Sequence, residues 1–412
     1  MVKNSRNLGI KYDRFIESLE KGDLNKKLLA KNILKKCYNP MIDEFIAQEG
    51  FNYEEEDKKA VSDSLKKLYD SNIKVADHLK VPAITHRMYF SNEEKPVLLN
   101  TFYIELLKIN YSRLNSTSED WTHYIWTNMP ELFPEEIKDM KGVQVKTLEE
   151  FKDHKLYNTL ITTIEKGKQL RGHYSEASDI LRFMAVETFG GFYSDMDFEI
   201  YHPEVLYDYM KKFDFIGARE QDNGYYASQF IAAKPNHPII IKATELLYRN
   251  HFNKKNAPDA IKYPCSEYSR IYFNALPLLT VAYFDQNNIN NNIDVILPDW
   301  VAINFDFARY KNKTCTYTKI TKEEFRETEN NLEAIIQAFS DKLAINNSQD
   351  KESICSQQNI YYNSKYHNNL KIIGADMGCG TWLGDLKGEE RINYWNPPWK
   401  WNFNKIFQDL LN

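Results

Sequence analysis

The sequence has no apolar run approaching the roughly 20 residues that a membrane-spanning helix needs. Its opening stretch, MVKNSRNLGIKYDRFIESLE, is charged from the start and lacks the apolar core of a secretory signal. An integral helical membrane protein is excluded on that reading. The chain is expected to be soluble and cytoplasmic, with a signal-peptide-independent secretion route left open. Cysteine is scarce: Cys37, Cys265, Cys315, Cys355 and Cys379 are odd in number and form no C-x-x-C pair. This argues against a disulfide framework and a thiolate zinc site, and for reduced thiols. The net charge is small, −5 over 412 residues, which argues against a general nucleic-acid binder. No glycine- or serine-rich linker and no internal repeat divides the chain.

Material for a core is plentiful. Hydrophobic residues make up 42% and aromatics 14%, with 27 Tyr and 23 Phe. A chain of this length holds one large α/β domain with additions, or two to three domains. Residues 1–78 read as a polar helical region, with Phe15, Ile16 and Leu19, then Leu24, Leu28, Leu29 and Ile33, and later Val61, Leu65, Leu68 and Tyr69 at helical spacing. Residues 1–40 carry ten Lys/Arg against four Asp/Glu. Such helices can touch an anionic membrane surface peripherally, or present the solvated face of a bundle.

From residue 79 the texture becomes alternating. VPAITHRMYF (81–90) and DWTHYIWTN (120–128) read as strands, and GVQVKTL as a third after a helical stretch at 134–140. SEASDILRFMAVETFGG (175–191) reads as a helix capped by Ser175 and stopped by Gly190–Gly191. FDFIGARE and SQFIAAKPNHPII read as a strand pair, IIIKATELLYRN and NALPLLTVAYFDQ as helices, and VILPDW as a strand. A polar, partly helical insertion is expected around 311–360, with its helix at 323–343. This alternation predicts an α/β fold over 79–412 with a largely parallel sheet, which binds ligands at the carboxyl ends of its strands. Trp395, Trp399 and Trp401 are read as packing of the tail onto that core, and His86 and His367 as structural. His237–Pro238 is read as a turn.

Directly after the glycine pair, GGFYSDMDFEIY (190–201) places Asp195 and Asp197 two apart on what reads as a strand end, hence on one face. Two ionised carboxylates there repel unless basic side chains or a divalent metal sit beside them. Asp179 and Arg182, three apart on the preceding helix, share a face. Acceptors for a cation, a further carboxylate and a guanidinium together suit a sugar joined to a diphosphate. The metal, Mn²⁺ or Mg²⁺, would neutralise the departing diphosphate as a Lewis acid. A phosphatase of the aspartyl-phosphate kind also uses D-x-D. Its nucleophile stands on an early strand, however, with Thr or Val where this chain has Glu199.

The stretch ASDILRFMAVETFGGFYSDMD resembles the D-x-D region of the glycosyltransferases that include the clostridial glucosylating toxins and the yeast-Golgi initiating mannosyltransferases. VPAITHRMYF, DWTHYIWTN, SQFIAAKPNHPII and the terminal GTWLG resemble further elements of that group, so the likeness spans roughly residues 80–385. It implies a GT-A type, Rossmann-like mixed sheet flanked by helices, here with an N-terminal helical appendage. It implies a metal-dependent, retaining hexosyl transfer from a nucleotide sugar, UDP-linked before GDP-linked. It also implies that Asp179 and Arg182 hold the sugar, that Tyr89 stacks on the base and that Tyr193 packs at the donor. Asp195 binds ribose or sugar and approaches the metal, Asp197 ligates it, and Asp376 is expected as a third ligand. Trp382 contacts the leaving phosphate, with Thr381 where serine is common, and Ser228 lies at the donor where asparagine is common. The acceptor expected by analogy is a host protein, the chain acting as a bacterial toxin or effector. A glycan-building enzyme and a degenerate fold serving as a binding module are the alternatives.

Overall fold

Short β-branched and aromatic runs become the strands of one central sheet, and the helices between them cover both its faces. The computed structural model describes residues 45–99, 101–117, 120–169, 174–200, 202–219, 225–252, 267–297, 302–304 and 373–376. The expected helices of residues 1–33, the insertion at 311–360 and its helix at 323–343 lie outside the described residues. So do His367, Thr381, Trp382, Trp395, Trp399 and Trp401.

After helix α1 (Tyr53–Tyr69) the chain alternates: β1 (Ile84–Tyr89), α2 (Thr101–Asn115), β2 (Thr122–Thr127), α3 (Glu135–Lys138), β3 (Val143–Lys146) and α4 (Tyr157–Gln169). Then come α5 (Ser175–Phe189), β4 (Gly191–Ser194), β5 (Phe198–Ile200), α6 (Pro203–Lys212), β6 (Phe215–Arg219) and β7 (Tyr226–Ala233). The remainder is α7 (Pro238–Phe252), α8 (Glu267–Gln286), β8 (Asp294–Leu297), β9 (Ala302–Asn304) and β10 (Gly374–Asp376). The main sheet has the order β3-β2-β1-β4-β7-β6-β8. Of its strands only β7 runs antiparallel to its neighbours, so the sheet is mixed, as expected. A small second sheet, β5-β10-β9, stands beside it.

Alternation along the strands sorts the core into two layers. Tyr193, Ile231 and Ala233 face the layer that holds Trp126 of β2 and the apolar stripes of α4, α5, α7 and α8. Phe192, Phe230 and Ala232 face the other, with Leu206 and Met210 of α6. Both faces of the sheet are therefore buried, which is why its strands read as near-continuous apolar runs.

Helix α1 covers the edge strand β8. Ile296 N donates to Ser64 Oγ at 2.8 Å, and Lys67 Nζ to the Asp294 carbonyl at 2.8 Å. Asp57 meets Arg219 of β6 at 3.0 Å in a largely buried pair. His237 is 0% exposed and lies 3.0 Å from the equally buried Asp294, so it ties the start of α7 to β8 rather than marking a surface turn alone.

Candidate active site

β1 and β4 are neighbours in the sheet, yet the chain passes from β1 outward to β2 and β3, while β4 opens the other half. This is a topological switch point, where the crevice beyond the strand ends takes ligands in open α/β sheets. Tyr89 closes β1 and Ser194 closes β4. The D-x-D segment follows Ser194 at once.

The two aspartates do not share a strand face, as the spacing had suggested. They lie in a turn between β4 and β5, in which Phe198 N donates to the Asp195 carbonyl at 3.0 Å. The chain leaves the main sheet there and enters the small one. Asp195 keeps a third of its side chain exposed, while Asp197 is buried.

The N-terminal half of α5 lies beside this turn because Gly190 and Gly191, at φ +64° and +94°, end the helix abruptly and reverse the chain into β4. Its N-cap position is Tyr174, without a side-chain cap bond. Ser175 is the first helical residue rather than the cap. His86 holds the far end: its Nδ1 accepts from Trp126 Nε1 at 3.0 Å, so its Nε2 donates to the Gly190 carbonyl at 2.7 Å. Burial pushes His86 down to about 4, which keeps this structural imidazole neutral.

Arg182 is the hub. Its guanidinium lies 2.6 Å from Asp179 Oδ1 and 3.6 Å from Asp195 Oδ1, and donates to Ser228 Oγ at 2.8 Å. It also stands over the Tyr193 ring at 4.8 Å, within cation–π range. The Tyr193 hydroxyl donates to Asp195 Oδ1. Five predicted residues, Asp179, Arg182, Tyr193, Asp195 and Ser228, thus form one connected group. Asp179 is fully buried, and its Oδ2 has no hydrogen bond. Burial pushes its carboxyl up to about 7; Arg182 opposes that rise and Asp195 adds to it. Tyr89 stands at the end of the adjacent strand, edge-on to Phe133 at 5.9 Å, with its hydroxyl donating to the Val97 carbonyl at 2.8 Å.

Sequence reasoning missed the layer beneath. Arg87 of β1 is 1% exposed and donates to the Asp195 carbonyl, and to the Phe198 carbonyl at 3.2 Å. Asn110 of α2 donates to the same Phe198 carbonyl at 2.8 Å and accepts from Ile200 N at 2.8 Å. Arg113 neutralises the buried Glu199 at 2.6 Å. The available signal was an arginine inside an otherwise buried strand, which must find acceptors within the protein. Burial lowers the Arg87 pKa, and the nearby tyrosines and the two aspartates counter that fall.

Among the described residues no cluster of three metal-binding side chains exists. Asp195 and Asp197 supply two carboxylates from one turn. That fits a hard divalent ion whose other positions are filled by diphosphate and water, the usual arrangement for Mg²⁺ at phosphate sites. β10 places Asp376 at the register position opposite Phe198, one residue past Asp197. Thr381 and Trp382 lie outside the described residues.

Residues 105–221 match the family described as "Glycosyltransferase sugar-binding region containing DXD motif". Among solved structures, "PaToxG Glycosyltransferase" is 14% identical, with 56% of this chain and 78% of that chain covered at a TM-score of 0.37. The UDP-bound glycosyltransferase domain from the YGT toxin is 10% identical, with 52% and 79% covered at 0.38. No curated protein matches the chain. The family match takes in α5, the glycine pair and the D-x-D turn together.

Proposed function

We propose that the protein transfers a hexose from a UDP-linked donor, with retention, and that a divalent metal held by Asp195 and Asp197, with Asp376 as a third ligand, assists departure of the diphosphate. The observation that carries this reading is the joining of Asp179, Arg182, Tyr193, Asp195 and Ser228 at the switch point, beside the turn that bears Asp197. When bound, the metal would offset charge developing on the leaving diphosphate. The chain's own residues do the rest. Arg182 supplies a fixed guanidinium for sugar or phosphate oxygens, Asp179 an acceptor for sugar hydroxyls, and Tyr89 a ring at the base end of the crevice. Thr381 and Trp382 would close over the diphosphate, as the sequence likeness implies. No second carboxylate is assigned as a nucleophile, so the transfer is read as front-face, with the leaving phosphate taking the acceptor proton. We extend the reading to a host-protein acceptor and an effector role on the resemblance of the motif alone.

The test is donor hydrolysis without an acceptor, using the full chain, Mn²⁺, and a panel of UDP- and GDP-sugars. Release of nucleotide from one donor, lost in the Asp195→Asn/Asp197→Asn double variant, is the expected result. Absence of hydrolysis, together with no calorimetric binding of UDP and Mn²⁺, would overturn it.

A further inference from the structure

We propose that Arg87 is a positioning residue that holds the D-x-D turn in its metal-receiving shape, a role that rests on the glycosyl-transfer reading. The backbone of the turn is tied at Asp195. Its Asp195 carbonyl accepts from Phe198 N at 3.0 Å, and Asp195 N reaches Gln229 O at 3.3 Å. Arg87 adds the clamp: one guanidinium nitrogen donates to the Asp195 carbonyl and the other to the Phe198 carbonyl at 3.2 Å. These two carbonyls bracket Met196 and Asp197. A single planar fork therefore fixes both ends of the segment and draws their carbonyls inward.

The setting supports a dedicated role. Arg87 is 1% exposed, and its Nε–H is buried without a hydrogen bond. A buried guanidinium carries a large desolvation cost, which a purely apolar strand residue would avoid. Lysine cannot reproduce the fork, because its ammonium is a point charge on a flexible stem. Asn110 shares only the Phe198 carbonyl and serves β5 through Ile200, so it offers a comparison that leaves the Asp195 end intact.

The experiment compares the wild-type full chain with Arg87→Lys, Arg87→Met and Asn110→Ala. Hydrogen exchange of the free protein is read at the turn (194–198) and at β7 (226–233). UDP affinity is read calorimetrically with and without Mn²⁺. Both Arg87 variants are expected to exchange roughly 10-fold faster at the turn, with β7 unchanged. The Mn²⁺-dependent gain in UDP affinity should fall roughly 10- to 100-fold, while metal-free UDP affinity stays within about twofold. Asn110→Ala should keep most of that gain. Unchanged exchange at the turn, or loss of UDP affinity equal with and without metal, overturns the proposal. If Arg87→Met fails to fold, Arg87→Lys decides. If wild-type protein binds no UDP, the functional reading fails, and exchange at the turn alone then upholds or overturns the clamp.

Discussion

Asp179 and Arg182 form an ion pair of 2.6 Å inside one helical turn, yet the second carboxylate oxygen of Asp179 is buried without a partner. The pair is half made. Leaving a buried acceptor unmet costs about 1–3 kcal/mol, so this oxygen either keeps a proton or awaits a donor. Nearby Asp195 adds like charge, which strengthens the case for the proton.

That arrangement predicts a pH dependence with a definite sign. Burial holds Asp179 up to about 7, above the ordinary carboxylate range. Between about pH 4 and 7 the folded state therefore binds more protons than the unfolded state. Stability contributed by Asp179 is fully present below pH 4 and is lost as pH rises through 7. Asp179→Asn should flatten that part of the melting-temperature profile. Donor turnover should run the other way in the wild type, rising through pH 7 as the carboxylate becomes available to sugar hydroxyls. In Asp179→Asn it should fall roughly 10- to 100-fold at pH 8 and lose that rise. Parallel profiles for the two proteins would dismiss the assignment.

The turn predicts unequal roles for the two aspartates. Asp195 already accepts from Tyr193 and sits near Arg182, whereas Asp197 is the deeper of the two. Asp197→Asn should raise the Mn²⁺ concentration for half-maximal UDP binding roughly 100-fold or more, and Asp195→Asn by less. Tyr193→Phe keeps the ring beneath Arg182 at 4.8 Å but removes the hydroxyl that orients Asp195. It should cost roughly 10-fold in the same titration. Equal effects from all three substitutions would contradict this order.

Much of the scaffold was legible because local chemistry and tertiary fold agree. Runs such as ITHRMY and THYIWT are β-branched or aromatic and flanked by breaks, and they form β1 and β2. The glycine pair after α5 ended that helix as read. The turn was not legible. FYSDMDFEI alternates as a strand would, and periodicity cannot register that an arginine 108 positions earlier holds the Asp195 carbonyl. For α1 the apolar spacing gave a helix but not its partner, since Ser64 meets Ile296 across 232 positions. Asp179 and Arg182 were readable as neighbours from helical spacing, while Tyr193 and Ser228 entered through the family resemblance; pairing of β4 with β7 brings Ser228 to the group.

Gly191 should tolerate no side chain. Its φ of +94° lies where L-residues are strained, and a Cβ there would sit 2.5 Å from the Ile84 carbonyl oxygen of β1. Backbone cannot yield as a flexible side chain would. Gly191→Ala should destabilise by about 2–4 kcal/mol, a fall in melting temperature of roughly 2–6 °C for a chain of this size. A shift under about 2 °C would mean that the junction of β1 and β4 is softer than its packing indicates.

His237 offers the converse case, a large stability effect without a change in donor recognition. It lies at the start of α7, 3.0 Å from Asp294, and both side chains are fully buried. Asp294 also accepts from Asn288 N at 2.6 Å, so the pair locks the α8–β8 connection as well as α7. Nothing in this group touches Arg182, Asp195 or the D-x-D turn. His237→Ala should strand a buried carboxylate and cost about 3–5 kcal/mol. Below its lowered melting temperature, the variant should bind UDP and Mn²⁺ within about twofold of wild type, because sites so separated contribute nearly additively. A loss of nucleotide affinity at a temperature where circular dichroism reports full folding would instead show that β8 and α7 transmit strain to the switch point. The functional site would then extend outward to include them.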